Sequence, residues 1–324
     1  MGQEQVESGI LPSIFRTEDP ISLTISTNMV NLIGNRKPQD EYQLAWIIYE
    51  TKGTTDTIET RIRARGTFRK DTMNCDFPPL RINFKKKDIR NTIFGPQDEF
   101  RIVTHCRTGD KQFVNYVLRE YYVYKIYKVL NPMCLGTRLA LITYIDDSGT
   151  MKPLTRYGFI LEDEDEFATR LNMEEIKTHM TFNQIEERNG LILSLFQFMI
   201  GNTDWIVQFS KNLIFLKKNE SIYCVPYDFD YCGIVNTDYR NAMGFTTLTQ
   251  PEREFKGKCY TRDQLKTAIK FFRKSKHKIM HEILAAKQLD HESVIYMYNY
   301  ISQFYIILNS SSECKKYFYV NCGG

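Results

Sequence analysis

With 324 residues, the chain is long enough for one large domain or two lobes with real cores. A 42% share of hydrophobic residues and 13% aromatics excludes disorder. A net charge of +4, from 43 basic and 39 acidic residues, gives no reason to expect nucleic acid as a partner. The basic runs at residues 85–87 and 273–278 read as solvated surface. No apolar run reaches the roughly 18–20 residues of a transmembrane segment.

The polar start at residues 1–8 resembles a mature N-terminus behind an added Met-Gly, so an export signal is suspected to have been removed. Strands follow from period-two alternation at 21–26, 42–49, 58–65, 78–84 and 99–104, separated by Gly, Pro, Asn and Asp. The period then changes. Residues 113–130 form a helix of about five turns, closed by Asn131 and Pro132. Two more strands lie at 138–144 and 157–161, and an acidic run occupies 162–166. Beyond it the chain reads as helical at 183–200, 262–273, 275–288 and 291–309, broken by a hairpin of strands 213–216 and 221–225.

This order describes a two-lobed α+β protein rather than a doubly wound sheet. A β-rich lobe spans 1–161: an antiparallel sheet with one long helix. A mainly helical lobe with the hairpin spans 162–324. A crevice between two lobes is a usual place for a ligand.

The eight cysteines contain no C-x-x-C pair, which argues against zinc. Cys75 and Cys106, in the same lobe, are the best candidates for a disulfide in an exported protein; buried thiols are the other reading.

The hairpin concentrates the chemistry. Asp204 and Asn212 flank its first strand, and Asp228 and Asp230 follow its second. Asp204 lies just past a helix ending at Gly201 and Asn202, both suited to a helix C-terminus. A carboxylate there can take a proton from an alcohol, although a turn-forming Asp is common. On an extended segment Asp228 and Asp230 point the same way and can share a metal; a capping or Arg-binding role is the alternative. Crowded carboxylates need a positive group among them, and Mg²⁺ carrying nucleotide phosphates supplies one.

Arg101 on a strand and Glu120 on the following helix form a candidate phosphate-binding pair, or a plain salt bridge. Arg61, Arg63 and Arg65 alternate along one strand face into Gly66, where backbone N–H groups can approach phosphate. No G-x-G-x-x-G or Walker A motif is present. His277 and His281 read as surface residues.

In this order Arg65-Gly66, Glu120, Gly201-Asn-Thr-Asp204, Asn212 and Tyr227-Asp-Phe-Asp230 resemble the CotH-like spore-coat kinase family of the atypical protein-kinase-like superfamily, closest to its exported Bacteroidetes-type relatives. The resemblance covers about residues 55–260. It implies a two-lobed protein-kinase-like fold and Mg²⁺ (or Mn²⁺) with ATP as cofactors. It also implies transfer of the γ-phosphoryl group to a protein or glycan hydroxyl.

On this resemblance Asp204 acts on the acceptor hydroxyl, Asn212 and Asp228 hold the metal, and Asp230 stands where the family has Gly. Arg101 and Glu120, with Arg65 and Gly66, face the phosphates, and residues 162–164 lie near the hinge. The chain departs from the pattern at Lys211, where the family has His, in the longer 204–212 interval, and at Arg101, where kinases use Lys. A nucleotide-binding pseudokinase or scaffold and an AMP-transferring enzyme are the alternatives. An exported surface protein that binds no nucleotide is a third.

Overall fold

Alternating side chains need two environments, and in the first half of the chain the inner one is the interior of a barrel. The computed structural model describes residues 11–34, 41–51, 53–66, 68–242 and 253–319. Residues 1–8, Thr67 and Cys322 lie outside the described residues. The chain divides into two compact units, Met1–Tyr121 with Leu135–Leu171, and Tyr122–Cys134 with Asn172–Gly324.

The first unit contains β1 (Ile21–Thr27), α1 (Met29–Gly34), β2 (Gln43–Thr51), β3 (Thr54–Ala64), β4 (Leu80–Phe84), α2 (Lys86–Ile89) and β5 (Glu99–Val103). It continues through the start of α3 (Gln112–Leu130), then β6 (Thr137–Asp146), β7 (Leu154–Glu162) and α4 (Glu164–Leu171). The strands close in the order β1-β2-β3-β4-β5-β7-β6. All neighbours are antiparallel except the closing pair, β1 on β6, which runs parallel from Ile21 opposite Ala140 to Thr27 opposite Asp146.

This closed, mixed, seven-stranded barrel corrects the expected antiparallel sheet of a two-lobed protein-kinase-like fold. Period-two alternation fixes which side chains point inward but not whether the first and last strands meet.

Leu23, Ile25, Ile47, Ile62, Ile82, Ile102, Ile142 and Ile160 are buried in the core of this unit. Each contributes roughly 1.5–3 kcal/mol of transfer free energy. Gly158 lets β7 approach β5 closely, because a Cβ there would lie 2.7 Å from the Val103 carbonyl oxygen.

The acidic run belongs to this unit, which extends to Leu171, ten residues past the expected boundary at 161. Glu162 is fully buried and accepts hydrogen bonds from Gln97 (2.6 Å), the Gly136 N–H (2.8 Å) and Arg170 (2.7 and 2.9 Å). A buried carboxylate needs partners of this kind. Asp163 pairs with Arg81 and Glu164 with Arg101, so the carboxylates that open α4 also tie it to the barrel wall.

The Cys75–Cys106 disulfide is present, with Cα atoms 4.7 Å apart. Cys259 is also disulfide-bonded, whereas Cys134, Cys224, Cys232 and Cys314 are buried thiols.

The second unit takes the end of α3, then β8 (Glu174–Glu175), α5 (Glu187–Ile200), β9 (Leu213–Lys218), β10 (Ser221–Pro226), α6 (Asp238–Ala242), α7 (Arg262–Leu284), α8 (His291–Asn309) and α9 (Ser311–Phe318). Its sheet runs β10-β9-β8. α5 is buried from Asn189 to Ile200, matching its largely apolar sequence.

α7 opens with a capping box: Gln264 N–H donates to the Thr261 hydroxyl (3.3 Å), and the Gln264 side chain accepts from the Thr261 N–H (2.7 Å). It runs unbroken where two helices were expected. Ser275 donates to the Phe271 carbonyl (3.1 Å) and stays within the helical turn. His277 and His281 are exposed on it, as expected. Among the described residues no helix is long and apolar enough to cross a membrane.

Candidate functional site

The turn that ends α5 builds the site. Gly201 adopts a left-handed conformation (φ 64°, ψ 39°), and its N–H caps the carbonyls of Gln197 and Phe198. Glycine is required twice over, since a Cβ there would also lie 1.9 Å from the Tyr300 hydroxyl. Beyond it the Asn202 side chain accepts the Asp204 N–H (2.9 Å), and buried Trp205 donates to the Asn202 carbonyl (3.1 Å). Asp204 is therefore held between two fixed neighbours.

The interval from 204 to 212 is a miniature hairpin. Ile206 and Lys211 exchange backbone hydrogen bonds of 3.3 and 3.0 Å, and Ser210, at φ 51°, closes the turn on Val207 (3.2 Å). This fold-back returns Asn212 to Asp204, so a longer spacing than in ordinary kinases still brings the two together. Asn212 Nδ2 donates to the Asp204 carbonyl (2.7 Å) and to its Oδ2 (3.0 Å). Lys211 Nζ pairs with Asp204 Oδ1. The positive group beside this carboxylate is therefore a lysine of the chain itself. Lys256 adds a second cation nearby, donating to the Thr203 carbonyl (2.7 Å).

At the same end of the β9–β10 hairpin, the Tyr227 N–H donates to the Asn212 carbonyl (3.1 Å). Asp228 follows, and its N–H is held by the Tyr124 hydroxyl (2.9 Å). Asn212 (φ 57°) and Asp228 (φ 59°) both occupy the left-handed region, which is uncommon outside glycine and tolerated best by Asn and Asp. Phe229 is fully buried, with its ring 4.7 Å from Tyr124 and 5.6 Å from Phe196. These contacts anchor the turn.

The extended geometry expected to aim Asp228 and Asp230 alike ends at Pro226. Asp230 is buried beyond Phe229. Its Oδ2 accepts from Tyr239 (3.0 Å) and its carbonyl from Thr237 (3.1 Å). Among the described residues no group of three or more His, Cys, Asp and Glu side chains is arranged to hold a metal. The donor set still fits Mg²⁺ bound with few protein oxygens. Asn212 spends its Nδ2 on Asp204, which leaves Oδ1 as an acceptor beside the Asp228 turn.

The remaining predicted residues lie in the first unit. Arg101 is buried, pairs with Glu164, and donates to the Glu162 carbonyl (2.7 Å). Register places Arg63 opposite Arg81 and Arg81 opposite Arg101, a row of three guanidiniums across β3, β4 and β5. Like charges in such a row repel, and Glu99, Asp163 and Glu164 offset them. Glu120 is buried and paired with Arg69 (3.3 Å). The Arg65 N–H donates to the Pro79 carbonyl (2.8 Å), and exposed Gly66 has φ 87°.

Lys211, Tyr124, Lys256 and Arg69 are the contacts that sequence reasoning left without a role. Lys211 was visible as a substitution beside Asn212, and Arg69 as a cation just after Gly66. Nothing local marks Tyr124. No protein-family model matches the chain, and no curated protein matches it.

Proposed function

We propose that Asp204, Asn212 and Asp228 serve a Mg²⁺-ATP-dependent (or Mn²⁺-ATP-dependent) transfer of the γ-phosphoryl group to a hydroxyl of a protein or glycan. The observation that carries this reading is the Asn212 side chain on Asp204, combined with the Tyr227 N–H on the Asn212 carbonyl. Together these bonds join a candidate base to two candidate metal ligands.

The reading rests on these side chains and on the CotH-like resemblance of their motifs, not on the architecture of the first unit. Asp204 orients the acceptor hydroxyl and receives its proton as the oxygen attacks the γ-phosphorus and ADP departs. Lys211 and Asn212 hold the two carboxylate oxygens of Asp204 in one orientation, which supplies the positioning such a transfer requires. Asn212 Oδ1 and the Asp228 carboxylate would hold the metal, which when bound neutralises phosphate charge.

The test is incubation of the full chain with ATP labelled at the α- or the γ-phosphate, with and without Mg²⁺ or Mn²⁺. Label from the γ-position, reduced roughly 10²–10⁴-fold in Asp204→Asn, is the expected outcome. Transfer of α-label would replace the reading with AMP transfer. A metal-dependent thermal shift without any transfer would replace it with nucleotide binding alone. No shift at millimolar nucleotide would refute it.

A further inference from the structure

Two arginines act on Tyr300 of α8. Arg253 stacks on it at 3.9 Å and donates to the carbonyls of Met199 (3.3 Å) and Tyr300 (2.5 Å). Arg240 of α6 is only 2% exposed and acts on the Tyr300 phenol electrostatically. Both terminal nitrogens of Arg240 lack a hydrogen-bond partner. Among the described residues neither arginine meets a carboxylate. Asp230 is bonded to Tyr239.

Tyr300 cannot serve as counter-ion. Burial pushes its phenol up to about 12 although both arginines pull it down, so it is neutral at pH 7.

The surroundings are polar. The Tyr300 hydroxyl lies against the Gly201 turn. The residues flanking that turn are Gln197, with both amide atoms buried and unpartnered, and Asn202, whose Nδ2 is likewise unpartnered. A buried arginine stays charged, and leaving it uncompensated is strongly destabilising.

We propose that Arg240 holds a buried oxyanion of the phosphate class, with the Asn202 and Gln197 amides as further donors and Arg253 as the second positive charge. The planar fork favours an oxyanion over a halide, because two terminal nitrogens can meet two oxygens at once. The site uses none of the residues assigned to phosphotransfer.

The test uses the full chain dialysed free of phosphate and sulfate. Thermal unfolding is followed in added phosphate and in chloride at matched ionic strength, and bound ³²P-phosphate is counted by equilibrium dialysis. Phosphate is expected to raise the midpoint by several degrees and to be retained at about one per chain. Chloride should do neither. Arg240→Gln should abolish both effects, and Asp228→Asn should preserve them. Should the glutamine variant fail to fold, Arg240→Lys keeps the charge without the fork, and phosphate should then bind at least roughly tenfold more weakly. An equal response to chloride, a response that survives Arg240→Gln, a response lost in Asp228→Asn, or no phosphate bound by the wild type would each overturn the proposal.

Discussion

Substitution of Asp228 separates backbone geometry from chemistry. At φ 59° this residue sits where side chains other than Asn and Asp are penalised. Its N–H bond to Tyr124 is a main-chain contact and survives any non-proline replacement. Asp228→Asn keeps shape and conformational tolerance, so its stability should stay within about 0.5 kcal/mol of wild type. Asp228→Ala forces an alanine into the left-handed region at a cost of roughly 1–2 kcal/mol. Asp228→Gly removes that steric cost and should recover about 1 kcal/mol relative to Ala, offset in part by the greater freedom of its unfolded chain.

All three variants should lose the Mg²⁺-ATP thermal shift. The chain has two tryptophans, so in a Trp46→Phe background the fluorescence of buried Trp205 reports urea unfolding of the second unit. Alanine as stable as asparagine would refute the backbone argument. An asparagine variant weaker by more than about 2 kcal/mol would show that the carboxylate is structural rather than held ready for a ligand.

Glu166 gives the first unit a pH dependence. Burial, then its hydrogen bond with the Asp98 carboxyl, raises its pKa from the ordinary 4.5 to about 7. The folded chain therefore binds this proton more tightly than the unfolded one. The resulting stability is complete below 4.5 and is lost as pH rises through about 7. At 1.36 kcal/mol per tenfold change in proton affinity the ceiling is roughly 3 kcal/mol, which solvent screening at this half-exposed site reduces to about 1 kcal/mol. Glu166→Gln should flatten that part of the profile, and coincident profiles for the two proteins would refute the assignment. Separately, Cys75–Cys106 and Cys259 are disulfide-bonded. Alkylation of unreduced, unfolded protein from its native source should spare these three cysteines, and full labelling of all of them would refute the pairings.

Local pattern carried much of this molecule. The strands at 21–26 and 99–104, the helix at 113–130 and the helix at 291–309 lie within one residue of the observed ends of β1, β5, α3 and α8. Period and punctuation are local properties, and these segments have both. The approach of Asn212 to the Asp228 turn was legible because a hairpin constrains its own ends.

Closure of the barrel was not legible, since nothing in residues 21–27 names 140–146 as their partner. α4 hid inside an acidic run that carries no apolar period before Phe167. Its arginine partners, Arg81 and Arg101, lie far away in sequence. The extended path expected through Asp228 and Asp230 is absent because the strand ends at Pro226 and Asp228 is left-handed.

The parallel β1–β6 seam has a consequence for biosynthesis. Ile21 leaves the ribosome before its partner Ala140, which follows only after β2 to β5 and α3 have been made. Until then the nascent sheet has an open strand edge, a template for pairing with a neighbouring chain. Non-local closure of this kind is slow relative to local hairpin formation. The interval in which β1 waits for β6 is thus one in which an unpaired edge is exposed to mispairing, and slowing translation before residue 137 would lengthen it.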